Sequence, residues 1–78
     1  MKESYVYIIS NKNRTVLYIG VTSNLLSRMV QHKHGVGSKF TSKYNITDLL
    51  YFEMFTNIEL AIEREKQLKN WHHDWMEN

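Results

Sequence analysis

Tyr5-Val6-Tyr7-Ile8-Ile9, then Ser10-Asn11-Lys12-Asn13-Arg14, then Thr15-Val16-Leu17-Tyr18-Ile19-Gly20: the fold turns on this stretch. The first run is aromatic and β-branched, the composition of a strand. The middle run is polar and turn-prone. The third is a second strand, which the pattern closes at Gly20. Two strands joined by a short polar connection predict a hairpin.

Downstream, Ser23 or Asn24 is a suitable helix cap. Leu25, Leu26, Met29 and Val30 then give the spacing of an amphipathic helix, which Gly35 stops. The 38–44 segment reads equally as one helical turn or as an ordered loop. Leu49-Leu50-Tyr51-Phe52-Glu53-Met54-Phe55 is a third strand, apolar on both faces, which predicts a buried, central place in the sheet. Thr56-Asn57-Ile58-Glu59 has the form of a capping box, with Thr56 as the cap of a helix running from Ile58 to about Trp71 or on to the C-terminus. The expected fold is α+β: strands over 5–9, 16–20 and 49–55 in one small, mostly antiparallel sheet flanked by helices, in the order β-β-α-(α)-β-α.

At 78 residues, the chain has room for one small core and excludes a multidomain enzyme, a barrel or a doubly wound sheet. A hydrophobic share of 42% is too high for a disordered tail. With no cysteine, disulfides and cysteine zinc sites are excluded. No apolar run approaches the roughly 20 residues of a membrane span, and Met1-Lys2-Glu3-Ser4 leads into a strand without a signal-peptide core. A cytoplasmic protein without a membrane, monomeric by default, is the expectation.

Net charge is only +2 but unevenly spread. Residues 21–44 carry Arg28, Lys33, Lys39 and Lys43 and no acid, with Phe40 and Tyr44 between them, whereas acids dominate 45–78. A basic segment with interleaved aromatics suits a phosphate backbone, and a solvated surface is the competing reading.

One residue breaks the pattern of the last helix. On a helical wheel Ile58, Ala61, Ile62 and Leu68 form the apolar face, and Glu65 falls in its middle. An unpaired carboxylate there costs several kcal/mol, so it must be paired, solvated or metal-bound. Pairing with Lys69 one turn on and a role as metal ligand or acid/base stand as equal alternatives. Arg28 and His32, four residues apart, share a face of the first helix; one offers a planar fork to phosphate and the other titrates near neutrality. Tyr7 and Tyr18 lie on neighbouring strands, where they are core residues or, with a lowered pKa, bases. His72-His73-Asp74 reads as a solvated helix end rather than a metal site, because adjacent side chains on a helix diverge. Trp71 and Trp75, one turn apart, read as residues that pack in a core or against a further C-terminal segment rather than stack on bases.

These residues together resemble the GIY-YIG nuclease family over almost the whole chain. Tyr5-Val6-Tyr7 looks like the first motif, with Tyr5 where glycine is usual, and Tyr18-Ile19-Gly20 matches the second to the letter. Arg28 falls at the family's helix arginine, His32 at a histidine some members carry, and Glu65 at the metal-binding glutamate. The 20–25 and 63–71 stretches are closest to the small stand-alone bacterial members, similar to the N-terminal domain of the excision-repair incision subunit. The resemblance implies a metal-dependent endonuclease that hydrolyses phosphodiester bonds in DNA, or in RNA, in repair or processing. It implies Tyr7, Tyr18, Arg28 and His32 as catalytic groups, Glu65 as ligand of Mg2+ or Mn2+, and contacts to nucleic acid from Lys33, Lys39 and Lys43. A non-catalytic or weakly active nucleic-acid-binding module on the same fold is the alternative. Residues 1–78 are expected to form a single catalytic domain, cut short at its C-terminus because related small proteins continue past this point.

Overall fold

The computed structural model describes residues 3–36 and 39–77, with side chains as far as Trp71 and excepting that of Phe40. The elements run β1 (Ser4–Ser10), β2 (Leu17–Thr22), α1 (Leu25–Lys33), α2 (Lys39–Lys43), β3 (Asp48–Phe55) and α3 (Ile58–Glu77). The three strands form one antiparallel sheet in the order β2-β1-β3. This is the expected α+β architecture, and the undecided 38–44 segment contains a short helix. The reading of His72-His73-Asp74 and Trp75 falls outside the described side chains.

β1 is the central strand, paired with β2 along one edge and β3 along the other, and its Val6, Tyr7 and Ile9 are each 2% exposed or less. Alternation along the strand sends Val6 to one face and Tyr7 and Ile9 to the other. On the first face Val6 and Ile19 pack against Ala61 and Leu68 of α3. On the second, Tyr7, Ile9 and Ile46 form a cluster with Val16, Tyr18, Leu25 and Met29, covered by α1. The sheet is therefore a thin partition with a helix on each side.

Four expectations are corrected. β3 is an edge strand, not a central one; its Leu49, Leu50, Tyr51, Phe52 and Met54 are between 40% and 56% exposed. The physical reason is that α3 lies mainly across β1 and β2, leaving the β3 side thinly covered. β2 does not end at Gly20 but continues to Thr22, with Gly20 paired to Tyr7 in mid-ladder. The cap of α3 is Asn57, whose side chain accepts from Leu60 N at 2.9 Å, rather than Thr56. The buried stripes are also narrower than expected. Among the described side chains of α3 the buried ones are Ala61 and Leu68, while Ile58 and Ile62 are exposed. On α1 Leu25, Met29 and His32 turn inward, while Leu26 and Val30 face solvent. Both inward sets follow a spacing of about seven residues per two turns, the seam of a helix laid on a flat sheet.

Asn24 caps α1 by accepting from Ser27 N at 3.0 Å. Gly35 ends that segment at φ +75°, a left-handed conformation that favours glycine. The chain then returns to the sheet through α2. Ile46 N donates to Thr41 O at 2.9 Å, and Thr47 N to Ser10 O at 3.1 Å. Ile46 is fully buried beside Tyr7, so these bonds fix the depth of Thr41 relative to the sheet.

Candidate active site

The hairpin register opposes Tyr7 to Gly20 and Ile9 to Tyr18, which puts both tyrosines on the α1 face. Their ring centroids are 6.3 Å apart. Gly20 makes this packing possible. A Cβ built there would stand 2.5 Å from the Tyr7 hydroxyl oxygen and 2.6 Å from Cζ, so the Tyr7 ring lies directly across the glycine.

His32 arrives from the inward seam of α1 and is only 2% exposed. Its ring centroid is 5.8 Å from that of Tyr7 and 5.8 Å from that of Tyr18. His32 Nε2 and the Tyr7 hydroxyl share a hydrogen bond at 3.2 Å. His32 Nδ1 and Thr41 Oγ1 share another at 3.0 Å. Thr41 escaped the sequence reading: its partner is set by how α2 docks, and no periodic pattern marks it.

Arg28 precedes His32 by one turn and is partly buried. Its charge lowers the pKa of His32, behind the larger effect of burial. Burial, then the neighbouring Tyr18, and lastly the charge of Glu65 push Tyr7 up to about 12, against an opposing pull from Arg28. Burial thus prevails over the nearby cation, and Tyr7 is a phenol at neutral pH. The lowered pKa that would make it a ready base is not there. The charge of Glu65, from the helix on the opposite face, is felt at the Tyr7 hydroxyl, but its contact is with Lys69. Tyr7, Tyr18 and His32 are brought together by ring contacts and a hydrogen bond, with Arg28 one turn before His32.

Glu65 itself is partly buried, its side chain 20% exposed, and pairs with Lys69 Nζ at 3.1 Å. Of the two alternatives for this carboxylate, the i,i+4 pair is the contact observed. Among the described residues no group of three histidine, cysteine or acidic side chains is placed to hold a metal ion. Lys33, Lys39 and Lys43 are all exposed. Lys39 and Lys43 border a surface groove of about 500 Å³ with Gly35, Val36 and Ser42. Thr41 turns inward between these two lysines.

The buried histidine has a consequence for stability. Its folded pKa lies below the ordinary 6.5, so the unfolded chain binds this proton more readily than the native one. Stability is fully present above that value and falls as pH drops below it. Thermal unfolding between pH 8 and pH 5.5 should follow this course, with a weaker pH dependence in His32→Gln. An equal dependence in the variant would mean that other groups carry it.

A three-stranded antiparallel sheet with a tyrosine on each strand of its first hairpin, and an arginine and a glutamate brought in from flanking helices, defines a class of small α+β domain. The GIY-YIG catalytic domain family matches residues 3–78, and the chain belongs to it. This is a nuclease family. Similar proteins include a UPF0213 protein of Clostridium perfringens, 41% identical over 66 residues, covering 85% of this chain and 70% of that protein. A UPF0213 protein of Staphylococcus haemolyticus is 37% identical over 71 residues, covering 91% of this chain and 85% of that one. A UPF0213 protein of Natronomonas pharaonis is 34% identical over 68 residues, covering 87% and 79%. No solved structure matches the chain. Among the described residues no helix is long and apolar enough to cross a membrane.

Proposed function

We propose that this chain is a metal-dependent endonuclease that hydrolyses phosphodiester bonds in DNA, acting in the cytoplasm as a single catalytic domain. The observation that carries the reading is the cluster of Tyr7, Tyr18 and His32, with the Tyr7 hydroxyl bonded to His32 Nε2 and the charges of Arg28 and Glu65 acting on that hydroxyl. In this reading Arg28 meets a non-bridging phosphate oxygen with its fork and stabilises the charge that develops there. Tyr7 orients the attacking water and passes protons rather than starting as a phenolate. One proton moves from water to the Tyr7 oxygen as the phenol proton moves to His32 Nε2. As the hydroxide bonds to phosphorus, the bond from phosphorus to the leaving sugar oxygen breaks; that oxygen takes a proton from solvent, and His32, left as an imidazolium, returns its proton to solvent. Tyr18 packs beside both rings and keeps them in place.

Glu65 is the residue that would hold a divalent cation, Mg2+ or Mn2+. Its hard carboxylate oxygens are partly exposed and already face a cation, the ammonium of Lys69. A single carboxylate suits an ion of this kind, which keeps several waters and takes the phosphate as a further ligand. When bound, the ion supplies Lewis-acid polarisation of the phosphate.

A domain this small has little surface with which to read a sequence, so the cue is the structure or damage of the substrate rather than its bases. The assay is incubation with supercoiled, branched and single-stranded DNA, and with RNA, in Mg2+, in Mn2+ and in chelator. Metal-dependent cutting supports the proposal; binding to the same nucleic acids without cutting favours the alternative. That alternative is a nucleic-acid-binding module with little or no turnover, and the Glu65–Lys69 pair is the observation in its favour.

Lys33, Lys39 and Lys43 supply the phosphate contacts in either reading. Log affinity for duplex DNA should then fall with log salt at a slope of about −0.9 per contact, and neutralising Lys39 and Lys43 together should make it shallower by about two. An unchanged slope would make the two lysines solvated surface.

A further inference from the structure

We propose that Thr41 is a positioning residue: its hydroxyl oxygen accepts a hydrogen bond from His32 Nδ1–H and so fixes the ring in the tautomer whose bare Nε2 receives the Tyr7 hydroxyl. The assignment deepens the nuclease reading and rests on it only for its effect on cutting.

Both ring nitrogens of His32 are engaged, Nδ1 with Thr41 Oγ1 at 3.0 Å and Nε2 with the Tyr7 hydroxyl at 3.2 Å. The whole unit is buried, with Tyr7 and His32 each 2% exposed and Thr41 1%. A neutral imidazole carries one proton, so the two bonds are not independent. Either Nδ1–H donates to Thr41 while Tyr7 O–H donates to Nε2, or Thr41 O–H donates to Nδ1 while Nε2–H donates to Tyr7.

Acid–base chemistry separates the two. A phenol O–H is a far stronger acid than an imidazole N–H, and an imidazole nitrogen a far stronger base than a phenol oxygen. The first arrangement joins the best donor to the best acceptor. An aliphatic hydroxyl oxygen also accepts better than a phenol oxygen, whose lone pairs are drawn into the ring. It has two lone pairs, so Thr41 can accept from Nδ1–H wherever its own proton points. Burial and Arg28 both hold His32 below its ordinary pKa, which keeps the ring neutral and one nitrogen bare.

The consequence is directional. With its proton committed to His32, the Tyr7 oxygen keeps lone pairs with which to accept a proton from an attacking water. In the opposite tautomer His32 would donate to that oxygen and have no nitrogen on the Tyr7 side to take the proton. Thr41 sets which of these holds, and its depth is fixed from the other side by Ile46 N on its carbonyl at 2.9 Å.

Long-range proton–nitrogen NMR of uniformly 15N-labelled protein at about pH 8 reads the tautomer directly, since protonated and bare ring nitrogens resonate far apart. The wild type should show the His32 proton on Nδ1 alone, and Thr41→Ser, which keeps the hydroxyl, should show the same. Thr41→Val, which keeps the shape and removes the acceptor, should spread the proton over both nitrogens and lower cutting by about tenfold to a hundredfold, the scale of a displaced reacting group. Thr41→Ser should cut within about twofold of wild type on the same scale. A wild-type proton on Nε2 overturns the proposal even if no variant folds, and so does a folded Thr41→Val with an unshifted tautomer. The spectra need no DNA and no metal. A chain with the expected tautomer that cuts nothing removes the nuclease reading and leaves Thr41 its role; a chain that cuts DNA with the proton on Nε2 does the reverse.

Discussion

Glu65→Gln should reduce Mg2+-dependent cutting by orders of magnitude while leaving the fold intact. The substitution keeps the size of the side chain and removes its charge, and with it the hold on a divalent cation that is proposed for Glu65. Stability should change by no more than about 0.5 kcal/mol, because the interaction lost is an i,i+4 pair whose lysine is largely exposed. DNA binding without metal should persist or tighten, since one negative charge facing the phosphate is gone. A Glu65 that serves only as the partner of Lys69 gives a different result: cutting is untouched. Melting temperature, metal-free binding and cutting, measured on the same preparation, separate the two roles.

Gly20→Ala should be nearly as damaging, by a different route. The added methyl would lie 2.5 Å from the Tyr7 oxygen and 2.6 Å from Cζ. A flexible surface side chain would swing aside, but Tyr7 is 2% exposed and bonded to His32, so it can yield only by breaking that bond or moving the strand. Overpacking of this kind costs about 1–3 kcal/mol, and displacing the hydroxyl should lower cutting by about a hundredfold. Gly35→Ala is the control. Its φ of +75° also makes alanine unfavourable, but the nearest atom is Ser42 Oγ at 3.3 Å, away from the tyrosines. It should lose about 1 kcal/mol and keep its activity once folded. Equal activity in Gly20→Ala and wild type would mean that the position of Tyr7 is not critical.

Much of this arrangement was legible in the sequence because it depends on short-range spacing. Two strand-forming runs around a polar connection specify the hairpin, and its register brings Tyr7 and Tyr18 to one face. A separation of four residues puts Arg28 and His32 on one side of α1. The anomaly of a glutamate on an apolar stripe is real, for Glu65 stands between the buried Ala61 and Leu68.

What could not be read depends on long-range packing. β3 has the composition of a buried strand, yet its place at the edge follows from where α3 crosses the sheet, which composition does not encode. Leu26 and Val30 fit an amphipathic pattern but lie outside the narrow seam that a small sheet can cover. Thr56 and Asn57 are both competent caps, and the side-chain bond to Leu60 decides between them. Thr41 is nine residues from His32 across a glycine-containing turn, so only the docking of α2 reveals the pair.

If the group around Tyr7 cuts a phosphodiester bond with a cation held by Glu65, supercoiled plasmid should be converted to open circle by highly purified wild-type protein in Mg2+. Side by side, excess chelator and the Glu65→Gln protein should give no nicking above background. Nicking of equal rate by the two proteins, or nicking that survives chelation, would show that a cation held by Glu65 is not what cuts.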